Sequence, residues 1–214
     1  MRTGCLTLAL VILAACWVGP LPGLAEHSFA AHMMMHTTVV AVAAPLFAFA
    51  VAGTRTDPVR SIPHFLPAIP ASMIELIIVW TWHAPAFHRA ARSEPGMFVL
   101  EQASFLAGGV LLWIAAVGGT PEQRRSRAGG GVVALLFTSM HMTLLGALFT
   151  LASRPLFVHA PMSPALAAAW DQQVGGVIML LVGGASYLIG GLWLTGAALV
   201  PASAAVHRRK ETKS

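Results

Sequence analysis

Nine histidines and ten methionines occur in a chain of 214 residues that has only two cysteines. His32 and His36 are four apart, so on a helix they project from one face about one turn apart, close enough to grip one ion. Met35, three after His32, lies near that face. His83 and His141 sit in later apolar segments, and Met140 precedes His141. Imidazole and thioether suit copper, above all Cu(I), better than magnesium or calcium, which take hard oxygen ligands; imidazole alone leaves zinc open. Cys5 and Cys16 both fall in the first apolar run and form no CxxC pair, which argues against a thiolate site or an iron–sulfur cluster.

The candidate ligands are therefore His32, His36, His83 and His141, with Met35 and Met140 as soft donors. Glu101, Gln102 and Asp171 are placed in support. A charge in hydrocarbon is costly, so ionisable groups inside a membrane usually face the bundle interior with a partner. A carboxylate there is either a ligand or the acceptor that orients an imidazole. His27, His88 and His159 are read as interfacial side chains, and His141, deep in an apolar run, must find a polar partner.

The elements that carry these residues follow from composition. The chain is 57% hydrophobic and only 10% charged, with a net charge of +5; soluble proteins have about 25% charged residues. The reading is an all-α polytopic transmembrane helix bundle. Five apolar segments, at about 31–52, 71–87, 97–118, 129–152 and 173–200, approach or exceed the roughly 20 residues a span needs. Ahead of them, Arg2, the run 6–18 and Gly23-Leu24-Ala25 read as a signal peptide cleaved after Ala25, or as a sixth span; Leu13-Ala14-Ala15-Cys16 also has the form of a lipobox. The expected organisation is 1–25 signal peptide or anchor, 26–200 bundle, and 201–214 basic cytoplasmic tail.

With the C-terminal tail cytoplasmic, ten Lys and Arg fall on the cytoplasmic side and three, Arg89, Arg92 and Arg154, on the other. That asymmetry sets the orientation. It places His32, His36 and His83 near the outer face of a bacterial cell (inner) membrane. The basic residues act as topology determinants, and nucleic acid is not an expected partner; the lipid bilayer is.

Other features have structural readings. Trp80, Trp82 and Trp170 form an aromatic belt, and Glu75 snorkels to the headgroups. Pro45 loosens or kinks the first segment about two turns below His36. Gly176, Gly183 and Gly190 recur every seven residues, a stripe that lets another helix approach closely; a homo-oligomer is one possibility this leaves open.

His32-Met33-Met34-Met35-His36, Trp82-His83-Ala84-Pro85, Glu101-Gln102-Ala103-Ser104-Phe105-Leu106 before Trp113, Met140-His141-Met142 before Leu144-Leu145-Gly146, and Asp171-Gln172-Gln173 before Gly175-Gly176 occur in this order. Together they resemble the CtaG family of polytopic cytochrome c oxidase assembly factors that serve caa-type oxidases. The resemblance runs from about His32 to the end of the last segment. It implies a role in maturing the copper-containing oxidase, with oxidase subunits as partners, copper as the ion handled, and no enzymatic activity. Two departures stand out. Members usually have about seven spans, and the position after the glutamate of the third segment is typically His where this chain has Gln102. Two other functions would use similar residues: a haem-binding electron-transfer bundle, and a copper transport or tolerance protein. A transporter needs donors through the whole membrane, and the inner half of the bundle has almost no Met or His.

Overall fold

The computed structural model describes residues 2–62, 66–157 and 165–199, and among these every regular element is a helix. In chain order they are α1 (Arg2–Val18), α2 (Leu21–Ala25), α3 (Phe29–Val51), α4 (Pro58–Ser61), α5 (Ala68–His83), α6 (Pro85–Ser93), α7 (Pro95–Val117), α8 (Pro121–Leu151) and α9 (Leu166–Leu199). Helices α3, α7, α8 and α9 are long and apolar enough to cross a membrane, while α1 and α5 are shorter apolar helices. The expected segment 71–87 is divided. Its helix, α5, has 16 residues, or about 24 Å at the usual rise, against about 30 Å of hydrocarbon. Pro85 ends it: the residue before a proline is pushed to extended backbone, and Ala84 has φ −69° and ψ 134°. His64, His159, Met162, His207 and the tail at 201–214 lie outside the described residues.

The long helices pack where glycines remove bulk. A Cβ on Gly176 would strike Thr150 and the Gly146 carbonyl of α8, one on Gly190 would strike the Trp113 ring of α7, and Gly109 abuts Val40 and Ala44 of α3. The glycine stripe of α9 thus receives α8 and Trp113 of this same chain. At one end of the bundle, Asp57 gathers three amides: Oδ2 accepts from Gly53 and Gly119, each at 2.6 Å, and Oδ1 from Val59 at 2.9 Å. Gly53 and Gly119 have φ +72° and +85°, the left-handed region that favours glycine.

Pro45 acts as its lack of an N–H requires. Just before it, Val39–Ala43 forms a π turn. Proline cannot donate to the Ala41 carbonyl in the α register or to the Val40 carbonyl in the π register. Side chains of α9 replace the missing donor: Ser186 Oγ donates to Ala41 O at 2.6 Å and Tyr187 Oη contacts Val40 O at 3.1 Å. A second π turn, Met179–Gly184, lies immediately before these two residues.

Candidate metal centre

The start of α3 is fixed by two side chains. Ser28, with extended backbone, caps the helix by accepting from Ala31 N at 3.2 Å. Asp171 reaches over from α9: Oδ1 accepts from Ser28 Oγ at 2.7 Å and Ala30 N at 3.2 Å, and Oδ2 from Phe29 N at 2.6 Å. Asp171 is therefore engaged with the N-terminal amides of α3. It sets the placement of that helix, which carries His32 and His36 inward, both fully buried.

His83 is the last residue of α5. Its Nδ1 lies 2.6 Å from the Val79 carbonyl; a carbonyl only accepts, so the proton is on Nδ1 and Nε2 keeps the lone pair. The break at Pro85 turns the chain into α6, which brings in His88, 2% exposed. The four rings form a continuous row. His88 meets His32 edge-on at 4.8 Å between centroids, His32 lies 6.2 Å from His83, and His83 meets His36 edge-on at 4.9 Å. Phe29, Phe105, Phe149 and Phe157 wall this row.

Glu101, one turn and a half into α7, stands beside the row with 0% exposure. Its Oε1 is 3.7 Å from His32 Nε2, and its Oε2 accepts from Arg92 Nη2 at 2.6 Å and Gln102 Nε2 at 3.2 Å. Gln102 completes a relay to the N-terminal helix by accepting from Trp17 Nε1 at 3.2 Å. Its amide is thus engaged at both ends. Arg92 lies on α6, outside the spans. Burial pushes its pKa down, opposed by Glu101 and then Glu26.

One ligand atom from each of His32, His88 and Glu101 lies within 4.8 Å of the others, and this fully buried group could hold a metal ion. The chemistry of the donors fits that role. Both ring nitrogens of His32 and of His36, His83 Nε2 and Glu101 Oε1 are buried with no hydrogen-bond partner among the described residues. Such atoms are rare in folded proteins because each costs about 1–3 kcal/mol.

Of the expected ligands, His32, His36 and His83 come together. His141 is buried, but among the described residues its ring contact is with Phe137 at 5.7 Å, and it sits ten residues from the end of α8, about 15 Å along the axis. Met35 is fully buried; Met140 faces the bundle surface with 59% exposure, a position turned away from a buried site. Three interfacial readings are corrected. His88 is buried in the row. Trp82 is 6% exposed and donates to Ser104 Oγ at 2.8 Å. Glu75 does not reach the headgroups: it is 1% exposed and bonds the Tyr187 hydroxyl. The helix begins at Ala68 rather than at 71, which carries Glu75 about a turn deeper than expected.

His88 was missed for a geometric reason. Five residues after His83 on an unbroken helix, it would point about 140° away. Only the turn at Ala84-Pro85 returns it to the same side, and the proline two residues past His83 was the available signal. No curated protein and no solved structure matches the chain. The family model for the cytochrome c oxidase caa3 assembly factor, Caa3_CtaG, matches residues 1–199; the chain belongs to that family, a multi-pass membrane family of assembly factors that are generally non-catalytic.

Proposed function

We propose that the chain holds copper as cargo while cytochrome c oxidase is matured, acting as a chaperone or scaffold. The observation that carries this reading is the row of four buried imidazoles beside Glu101, with His32, His88 and Glu101 in reach of one ion. His32, His88 and Glu101 would hold the ion, His83 and His36 supply further nitrogens behind it, and Met35 is the candidate thioether. Membership of the assembly-factor family supports the oxidase as partner. Imidazole with thioether supports copper. The Lys and Arg asymmetry supports a site facing the periplasm or exterior with the C-terminus cytoplasmic. In this arrangement α5 is a fifth crossing, and α1 is a signal segment or a sixth. A haem would need a slot for its macrocycle between opposed imidazoles, whereas His88 meets His32 edge-on at 4.8 Å and His83 meets His36 edge-on at 4.9 Å.

The test is metal analysis of the detergent-purified chain loaded with Cu(I). About one copper per chain is expected, with no Soret band. His32→Ala combined with Glu101→Gln should abolish binding, and His141→Ala should leave it in place. Equal copper in the double variant refutes the site; an intense Soret band refutes the cargo.

A further inference from the structure

Glu101 is an ionisable group with 0% exposure, and what balances its charge is Arg92, whose side chain is only 13% exposed. A buried carboxylate without such a partner is strongly unfavourable. Arg92 also borders the outside. It lines a cavity of about 660 Å³ together with Glu26, His88 and Phe157, and a smaller one of about 180 Å³ that again includes Glu26. The guanidinium thus lines the open cavity beside His88 and reaches inward to Glu101. Glu26 is exposed and close enough to act electrostatically on Arg92.

An ion entering this group meets a carboxylate that already has a cation on it. If Arg92 stayed, two positive charges would share one buried carboxylate at a few Å. If Arg92 moves to Glu26, a singly charged ion replaces a singly charged guanidinium and the buried charge is unchanged. A divalent ion leaves one positive charge in excess. The imidazoles bind as neutral rings, so they do not alter the count.

Resting on the metal-site reading above, we propose that Arg92 is a resident counter-cation that exchanges one for one with a monovalent soft cation at His32, His88 and Glu101, swinging to Glu26 as the ion enters. Arg92 thereby keeps the site neutral when it is without cargo, and the single carboxylate it vacates balances Cu(I) but not a divalent ion. Its position at the cavity, next to His88, puts it beside the ion's way in.

The test uses the full chain in detergent, titrated with Cu(I), with Ag(I) as its redox-inert analogue, and with Zn(II). Arg92→Gln removes the competing charge and keeps a donor for Glu101. It should tighten Ag(I) and Cu(I) on the order of tenfold, the usual scale of coupling between two sites. Arg92→Lys keeps the charge and should stay near wild type. Glu26→Gln, at an exposed position, should weaken both ions several-fold, and it supplies the measurement if Arg92→Gln does not fold. Wild-type protein should prefer Ag(I) to Zn(II). If wild type binds but Arg92→Gln binds no tighter, or Glu26→Gln changes nothing, the exchange is refuted. Zn(II) bound as tightly as Ag(I) refutes the charge count. If no variant and no wild-type protein binds any of the three ions, the metal-site reading itself fails, and the exchange falls with it.

Discussion

Asp171→Asn isolates the device that positions α3. The first amides of a helix have no intrahelical acceptor, and an anion beside them gains from the helix dipole. Asp171 receives Phe29 N on one oxygen, and Ser28 Oγ and Ala30 N on the other. Asparagine keeps one accepting oxygen and turns an NH2 toward an N–H or a hydroxyl. At least one charge-assisted bond is lost, about 1.5–3 kcal/mol, together with part of a dipole contribution of up to about 2 kcal/mol. Asp171 is partly exposed, which lowers the total to about 2 kcal/mol. For a chain of this size that lowers the thermal midpoint by roughly 4–8 °C, measured by circular dichroism on the metal-free protein. Because Ser28 both caps α3 and donates to Asp171, Ser28→Ala and Asp171→Asn should couple rather than add. Metal affinity should fall as well, since His32 lies one turn beyond the loosened cap. An unchanged midpoint in metal-free protein, with affinity lost, would mean that Asp171 is a ligand and that the capping argument is wrong.

Two further substitution pairs test the packing by the same thermal assay. Tyr187→Phe strands the buried Glu75 carboxyl and the Val40 carbonyl, at a cost of about 2–3 kcal/mol, and adding Glu75→Leu should recover about half of it, because the carboxyl is then gone while the Val40 carbonyl stays unpaired; a single-variant loss under about 0.5 kcal/mol would contradict the contact. Gly176→Ala forces a methyl into α8 and should cost about 1–3 kcal/mol, whereas Gly130, with nothing within 4 Å of its added Cβ, should gain about 0.5–1 kcal/mol as Ala. The reverse order would show that α8 and α9 are not in close contact.

Much of this architecture is legible in local sequence. Apolar run length marks the four long helices, Pro45 marks the loosened turn, and the spacing of His32 and His36 places both on one face. What stays hidden depends on where one element lies against another. The interfacial assignment of His88 and Trp82 assumed that α5 runs on to residue 87, and the proline break overturns it for His88. An apolar run starting at 71 puts Glu75 near the headgroups, whereas the helix starts at Ala68 and takes it about a turn deeper. The sequence marks Asp171 as an acid needing a partner at the membrane, but it is partly exposed and its partners are the amides of residues more than 140 positions earlier, which no spacing rule connects. Asp57 caps α4 through Val59, a local pattern carried by Asp57-Pro58, but its bond to Gly119, 62 positions later, is equally beyond any spacing rule.

The same dependence bears on how such a site works. Its donors come from α3, α5, α6 and α7, and none of these elements carries a complete site alone. His32 and His36 need Asp171 to place their helix. His83 needs the Val79 carbonyl to present Nε2, and His88 needs the Pro85 turn. Glu101 needs a cation beside it, and Arg92 supplies one from a helix that borders the open cavity. A resting site built on donors without counter-charge would leave a carboxylate exposed to hydrocarbon; a site closed by apolar residues would have no entry. Under the exchange proposed above, the buried ion pair meets both conditions, because the group that neutralises the carboxylate is also the one that withdraws. Metal release onto a partner would run the exchange in reverse, with the guanidinium returning to Glu101 as the ion departs, so the chain would regain its own charge balance without a second ion.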